Sequence, residues 1–259
     1  MKKHIPNLIT LANLLAGIIA IMLAVKGQLV GAALFVLIGI IFDFFDGFVA
    51  RLLNVQGELG KQLDSLADMV TSGIVPGIVM YQLFERALHQ SWMDGLSCEI
   101  GNWSVFEETD TMLWAGFRIH PLPFLGLLLS LAAAYRLATF NIDERQTSSF
   151  IGLPTPSMTL VVLSLPMILA YSDNEFAKSL ILNNYVLAAI TIVLSVLMNV
   201  SIPLFALKFN SFSVKNNAIE IIFILISIVL LLTLQFVAIP LIITLYIVLS
   251  LLKNSIAKG

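Results

Sequence analysis

Apolar side chains in this chain neither alternate with polar ones nor recur every third or fourth residue against a charged face. They fill continuous runs broken by short clusters of charge, glycine and proline. Eight such runs stand out: Leu8–Val25, Val30–Ala50, Leu63–Phe84, Leu122–Phe140, Pro156–Tyr171, Tyr185–Val200, Ile219–Leu234 and Phe236–Leu252. Most approach the ~20 residues that a helix needs to cross a bilayer. Continuous apolarity without a period of two predicts membrane-spanning helices rather than a β-barrel. Only Thr233, Gln235 and Pro240 interrupt the last two runs, which leaves one long kinked helix open as an alternative there.

Composition sharpens this picture. Hydrophobic residues make up 59% of the 259 and charged residues 12%, with a mean hydropathy of +0.97. A soluble domain carries about 25% charge. The net charge of -2 offers no basic surface for nucleic acid. Cys98 is the single cysteine, so no internal disulfide is available. The expected fold is therefore an all-α integral membrane protein, one polytopic domain over residues 1–259. It divides into a six-helix core over about 1–200 and two additional C-terminal helices over about 215–253.

The basic residues orient it. With the N-terminus inside, Lys2, Lys3, Arg51, Lys61, Arg136, Arg145, Lys208, Lys215, Lys253 and Lys258 lie on the inner side, against Lys26, Arg86, Arg118 and Lys178 outside. This is the positive-inside pattern, and it puts both termini in the cytoplasm. The run after Lys2 and Lys3 reads as a first span, not a cleaved signal. Residues 85–120 form the one long extracytoplasmic loop, and Trp92, Trp103 and Trp114 suit an interfacial lid. His4, His89 and His120 are scattered without ligand spacing.

The chemistry lies between Ile41 and Pro76, where Asp43, Asp46, Asp64 and Asp68 sit in or beside two hydrophobic runs. Each Asp at the centre of a membrane helix costs about 2.5–3.5 kcal/mol on insertion scales, so something must compensate for four of them. At about 100° per residue, Asp43 and Asp46 lie about 60° apart, with Gly47 and Ala50 on the same face. Gly60, Asp64 and Asp68 follow at i, i+4 and i+8 on the next helix. A loop of roughly a dozen residues makes the two helices antiparallel neighbours, and their acidic faces meet near the cytoplasmic end. Clustered carboxylates without histidine or cysteine form an all-oxygen site suited to Mg²⁺, Mn²⁺ or Ca²⁺. Two bridged ions would match the arrangement that promotes displacement at phosphorus.

These residues also spell D-x2-D-G-x2-A-R-x8-G-x3-D-x3-D, filled by Asp43, Asp46, Gly47, Ala50, Arg51, Gly60, Asp64 and Asp68. The pattern resembles the CDP-alcohol phosphatidyltransferase superfamily, whose members make phospholipids from a CDP-linked lipid and an alcohol. The resemblance implies that Asp43, Asp46 and Asp64 hold two divalent ions, Mg²⁺ or Mn²⁺, with Ca²⁺ as a non-productive ligand. Asp68 is implied as the general base, as a further metal ligand, or as both. Gly47, Ala50, Arg51 and Gly60 are implied to line the CDP-lipid pocket. Arg51 has a forked donor suited to phosphate, although a helix-end anchor is its plain alternative.

Outside the signature, Ile5–Gly17, Ser72–Gly77 and the stretch from Tyr135 to Pro156 are similar to the membrane-embedded phosphatidylserine synthases of that superfamily. The implied reaction passes a phosphatidyl group from CDP-diacylglycerol to L-serine and releases CMP. The implied setting is the cytoplasmic membrane of a bacterium, with the site on the cytoplasmic side, membrane lipids around it and a homodimeric assembly. Asn7 and Thr10 are expected at the nucleotide or its phosphates, with interhelical bonding as the alternative. Asn13 shares their polar side of the first run. Arg136 is expected to pair with the serine carboxylate, against a snorkelling helix-end role, and Ser72 to shape that pocket. Arg145 is a weaker candidate. Glycerol-3-phosphate or inositol phosphate would call for more basic residues, and a divalent-cation transporter is the rival of another class.

Overall fold

The computed structural model describes residues 4–93, 112–114, 117–142, 150–204 and 218–258. Helices dominate: α1 (His4–Val25), α2 (Leu29–Leu52), α3 (Glu58–Asp68) and α4 (Val75–Met93), then α5 (Leu128–Ile142) and α6 (Thr155–Tyr171), α7 (Glu175–Ile181) and α8 (Asn184–Asn199), and finally α9 (Ala218–Leu234) and α10 (Ala238–Lys258). A π-helical turn, Met69–Ile74, joins α3 to α4 without a break in direction, and a 3₁₀ turn, Leu122–Leu127, leads into α5. Two small antiparallel pairs complete the described residues: β1 (Met112–Trp114) with β2 (Phe117–Ile119), and β3 (Phe150–Ile151) with β4 (Pro203–Leu204). The fold is an all-helical membrane bundle.

The eight apolar runs all form helix, with two instructive differences. First, α3 starts at Glu58, well before the run at Leu63, so only Leu53–Gly57 separates it from α2. Glu58–Leu66 is amphipathic, not continuously apolar, which hides it from a hydropathy reading. Second, α4 carries on past Phe84 to Met93, into the stretch assigned to the outer loop. Residues 94–111 of that loop, with Trp103 and most of its acids, lie outside the described residues, as does Arg145. The last two runs form two helices as expected, and the alternative of one kinked helix falls, because α9 and α10 fold back on each other. The 34 residues Glu220–Lys253 would span about 50 Å as a straight helix, yet Lys253 Nζ donates to Glu220 Oε1 at 2.5 Å. The turn is made at Gln235, whose φ is +49°, and Phe223 stacks near Tyr246 with ring centroids 5.8 Å apart.

Helix α6 is 17 residues long, and α7 and α8 meet at 72°. Asn183 caps the second of these by accepting from the amides of Tyr185 and Val186. Large apolar side chains such as Leu8, Leu15, Leu131 and Leu232 face outward, as lipid requires. The inner face of α1 carries small and polar groups instead: Pro6, Thr10, Asn13, Gly17, Ala20 and Ala24 are all buried. Their spacing of three and four is the stripe that lets helices approach closely. Behind it, Val79, Met80, Leu83 and Phe84 of α4 pack with Leu129, Ala133, Met158, Val162 and Leu187 in the central core.

Candidate active site

Near the ends of α1, α2 and α3 the polar residues gather. The carboxylates of Asp43, Asp64 and Asp68 each place an oxygen within 4.8 Å of the other two. The helix periods and packing explain this: Asp64 and Asp68 are one turn apart on α3, and α2 and α3 both pack against α1. Such a group fits a divalent cation, because its donors are all hard oxygens and nothing cationic offsets their mutual repulsion within the group. Asp46 is placed differently. It is one turn further along α2, 6% exposed, and its Oδ2 accepts a 2.5 Å hydrogen bond from Thr10 Oγ1. Thr10 thereby ties α1 to the acidic face of α2.

A cavity of about 690 Å³ opens beside the cluster. Asp46 and Asp64 form its acidic wall, and Asn7, Thr10, Gly47, Ala50, Arg51 and Gly60 all line it. A Cβ on Gly60 would meet nothing nearer than Asn7 Oδ1 at 3.6 Å, and one on Gly47 nothing nearer than Arg51 Nη2 at 4.0 Å. These glycines therefore widen the cavity instead of permitting helix contact. Lys61, Gln56, Glu58 and the backbone around Gly57 close the far side, and a spacing pattern had no means of selecting them. Lys61 Nζ also donates to the Asn141 carbonyl at 3.1 Å, while Ser65 and Asn141 share hydrogen bonds of 2.9 and 3.2 Å. The end of α5 is thus pinned to α3.

Two expected acceptor residues stand elsewhere. Arg136 is buried in the seam between α5 and α8, where Nη1 donates to the Met198 carbonyl at 2.6 Å and Nη2 to the Gly152 carbonyl at 3.2 Å. Beside it the Gly152 amide donates to Ile202 and the Leu153 amide to Leu197. Arg136 is a strut that joins these segments and is not in the cavity wall. Ser72 is 1% exposed within the π turn, and its carbonyl accepts from Thr159 Oγ1 at 2.8 Å. It too is absent from the wall. Neither position was separable from the site by sequence, since both lie in segments that surround it.

The helical membrane bundle thus sets an oxygen-only acidic cluster beside a cavity of about 690 Å³. The sequence profile described as CDP-alcohol phosphatidyltransferase matches residues 3–199, and the chain belongs to that family. It is an enzyme whose substrates are a CDP-linked alcohol and an alcohol acceptor. Among relatives, it is 32% identical over 177 residues to the CDP-diacylglycerol–serine O-phosphatidyltransferase of Bacillus subtilis, covering 65% of this chain and 81% of that protein. It is 27% identical over 172 residues to the archaetidylserine synthase of Methanothermobacter thermautotrophicus, covering 65% and 60%. It is 29% identical over 161 residues to the CDP-diacylglycerol–serine O-phosphatidyltransferase of Helicobacter pylori, covering 61% and 55%. The matches thus span less than two thirds of the last two relatives. Helices α9 and α10 lie beyond the family match.

Proposed function

We propose that the protein transfers the phosphatidyl group of CDP-diacylglycerol to the hydroxyl of L-serine, yielding phosphatidylserine and CMP. The observation that carries this is the carboxylate trio beside a cavity, to whose wall it contributes Asp64 alongside Asp46, Arg51 and Lys61. The names of the Bacillus and Helicobacter relatives support serine as the acceptor. So does the scarcity of cations beside the cavity, where a phosphorylated acceptor would demand more.

In this reading the CDP headgroup lies along Asn7, Gly47, Ala50 and Gly60, with Arg51 forked onto a phosphate. Asp43, Asp46, Asp64 and Asp68 hold Mg²⁺ or Mn²⁺, which when bound neutralise the pyrophosphate and the charge that builds on the departing CMP. Asp68, one turn beyond Asp64 on α3, also takes the proton from the serine hydroxyl as that oxygen attacks the lipid-linked phosphorus in line. The P–O bond to CMP breaks, and no enzyme nucleophile intervenes because none accompanies the carboxylates. The cluster faces the cytoplasm of a bacterial inner membrane, where serine and nucleotide are available, and two copies of the chain assemble as a dimer.

An acceptor panel tests this. Purified protein with CDP-diacylglycerol and Mn²⁺ is offered serine, glycerol-3-phosphate and inositol phosphate, and the lipid product is identified by mass spectrometry. Phosphatidylserine is the expected product. A phosphatidylglycerol phosphate or phosphatidylinositol phosphate product, with serine inert, would replace the acceptor and leave the transfer chemistry standing.

A further inference from the structure

Around α3 the polar residues are sorted by what they face. At about 100° per residue, counting from Gly60, Asp64 lies about 40° round the helix, Asp68 about 80°, Lys61 about 100° and Ser65 about 140°. Gly60 looks toward α1, where Asn7 Oδ1 is the nearest atom to a Cβ placed on it. On the other side, Lys61 Nζ donates to the Asn141 carbonyl at the end of α5, 3.1 Å away. The two aspartates of α3 therefore stand between the α1 side of the cavity and the α5 side.

Lys61 is an exposed side chain that is nevertheless held. Ser65 Oγ donates to the Lys61 carbonyl at 3.1 Å and bonds both polar atoms of the Asn141 side chain. The carbonyl that meets Nζ is thus fixed from one turn nearer to Asp68. Ordering a lysine stem costs entropy, and a carbonyl takes only one of the three ammonium donors. Among the described residues no carboxylate lies within ion-pair distance of Nζ. Two N–H donors remain for a ligand in the cavity whose wall Lys61 joins. The arginine of that wall, Arg51, stands one turn beyond Gly47 on α2, on the side given above to the phosphates.

An in-line displacement brings the acceptor to the phosphorus from the face opposite the leaving nucleotide. Asp68 and Lys61, about 20° apart round α3, share one stripe of that helix, away from the stripe of Gly60. We propose that Lys61, held by Asn141 and Ser65, is a specificity-determining residue that receives the carboxylate of the acceptor while the acceptor hydroxyl lies at Asp68. A compact ammonium suits a single carboxylate, where a phosphorylated acceptor would call for forked donors. Seven residues, about 10 Å of helix rise, separate the two backbone positions, which leaves room for a small hydroxy amino acid between the two side chains. The inference deepens the serine reading and rests on it.

The test uses full-length detergent-purified protein with CDP-diacylglycerol and Mn²⁺, and compares wild type, Lys61→Met, Lys61→Arg and Asn141→Ala. Loss of a charge-assisted hydrogen bond predicts a serine KM about 10- to 100-fold higher in Lys61→Met. The KM for CDP-diacylglycerol stays within about twofold, which also reports an intact nucleotide site. Lys61→Arg recovers most of the loss. Asn141→Ala keeps the carbonyl that Lys61 meets but frees it from Ser65, and raises the serine KM by about threefold, because only the anchor is loosened. Serinamide, which has the hydroxyl and the amine but no carboxylate, is a poor acceptor that wild type and Lys61→Met use equally. An unchanged serine KM in Lys61→Met, an equal rise in the KM for CDP-diacylglycerol, or a loss with serinamide as large as with serine would each overturn the proposal. A wild-type protein that ignores serine would instead remove the serine reading itself, before any variant is compared.

Discussion

Two parts of this bundle bury polar groups in opposite ways. In α1–α3 the buried positions are small or polar, and the space they leave is occupied by interacting functional groups: Thr10 with Asp46, Thr71 with Asn13, and the trio Asp43, Asp64 and Asp68. In α9–α10 the exposed positions are mostly large apolar side chains. The buried acid there is Glu220, 5% exposed, which Lys253 closes into an ion pair across the two helix ends. The first region spends its packing on holding charges near one another, at a cost that only a bound partner offsets. The second satisfies its single buried acid internally and leaves nothing for a ligand. Membrane proteins tolerate both, but only unsatisfied polar burial marks a site.

If that contrast is sound, substitutions in the two regions will differ steeply. Asp64→Asn or Asp43→Asn removes a charge from the trio, and the loss of several kcal/mol of charge stabilisation predicts a fall of about 10³-fold in CMP release. Gel filtration should show the folded protein unchanged. Thr10→Val deletes one hydrogen bond to a charged group, worth about 1.5–3 kcal/mol, and is expected to lower kcat/KM by roughly 10- to 100-fold. Gly60→Leu projects a side chain into the open cavity. A tenfold rise in the KM for CDP-diacylglycerol, about 1.4 kcal/mol, should exceed any change in kcat. The smallest effect is assigned to Lys253→Met, which removes a half-exposed partner from Glu220. Transfer should stay within about twofold, and the unfolding temperature should fall by a few degrees, corresponding to about 1 kcal/mol. A Lys253→Met enzyme as impaired as Thr10→Val would erase the distinction between the regions.

Much of the architecture was legible because lipid makes apolar runs unambiguous: the cores of α1, α2, α4, α5 and α8 follow from them directly. What escaped was structure that hydropathy does not encode. Helix α3 begins in a polar, amphipathic stretch, and the backbone reversal at Gln235 that folds the two expected C-terminal helices together carries no hydropathy signal. The site shows the same division. The spacing brought Asp46, Gly47, Ala50, Arg51, Gly60 and Asp64 to one cavity, with Asp43 and Asp68 clustered beside Asp64, because helical period fixes which residues share a face. Asn7 and Thr10 followed from the polar side of α1. Asn13 lay on that same side, yet its partner Thr71 depends on a π turn that no residue pattern announces. Arg136 shows the converse. A buried arginine in a segment near the site invites a substrate role, and its guanidinium donates to the carbonyls of Met198 and Gly152 outside the cavity wall.

The central claim is that the Asp43, Asp64 and Asp68 cluster carries out transfer from CDP-diacylglycerol to serine. The most direct measurement is serine-dependent CMP release by the purified protein with Mn²⁺, compared with Asp64→Asn and with a chelator-treated sample. The account predicts CMP formed one-for-one with phosphatidylserine by the wild type, and almost none in the other two. Undiminished release by Asp64→Asn, or none by the wild type with any alcohol despite tight Mn²⁺ binding, would contradict it.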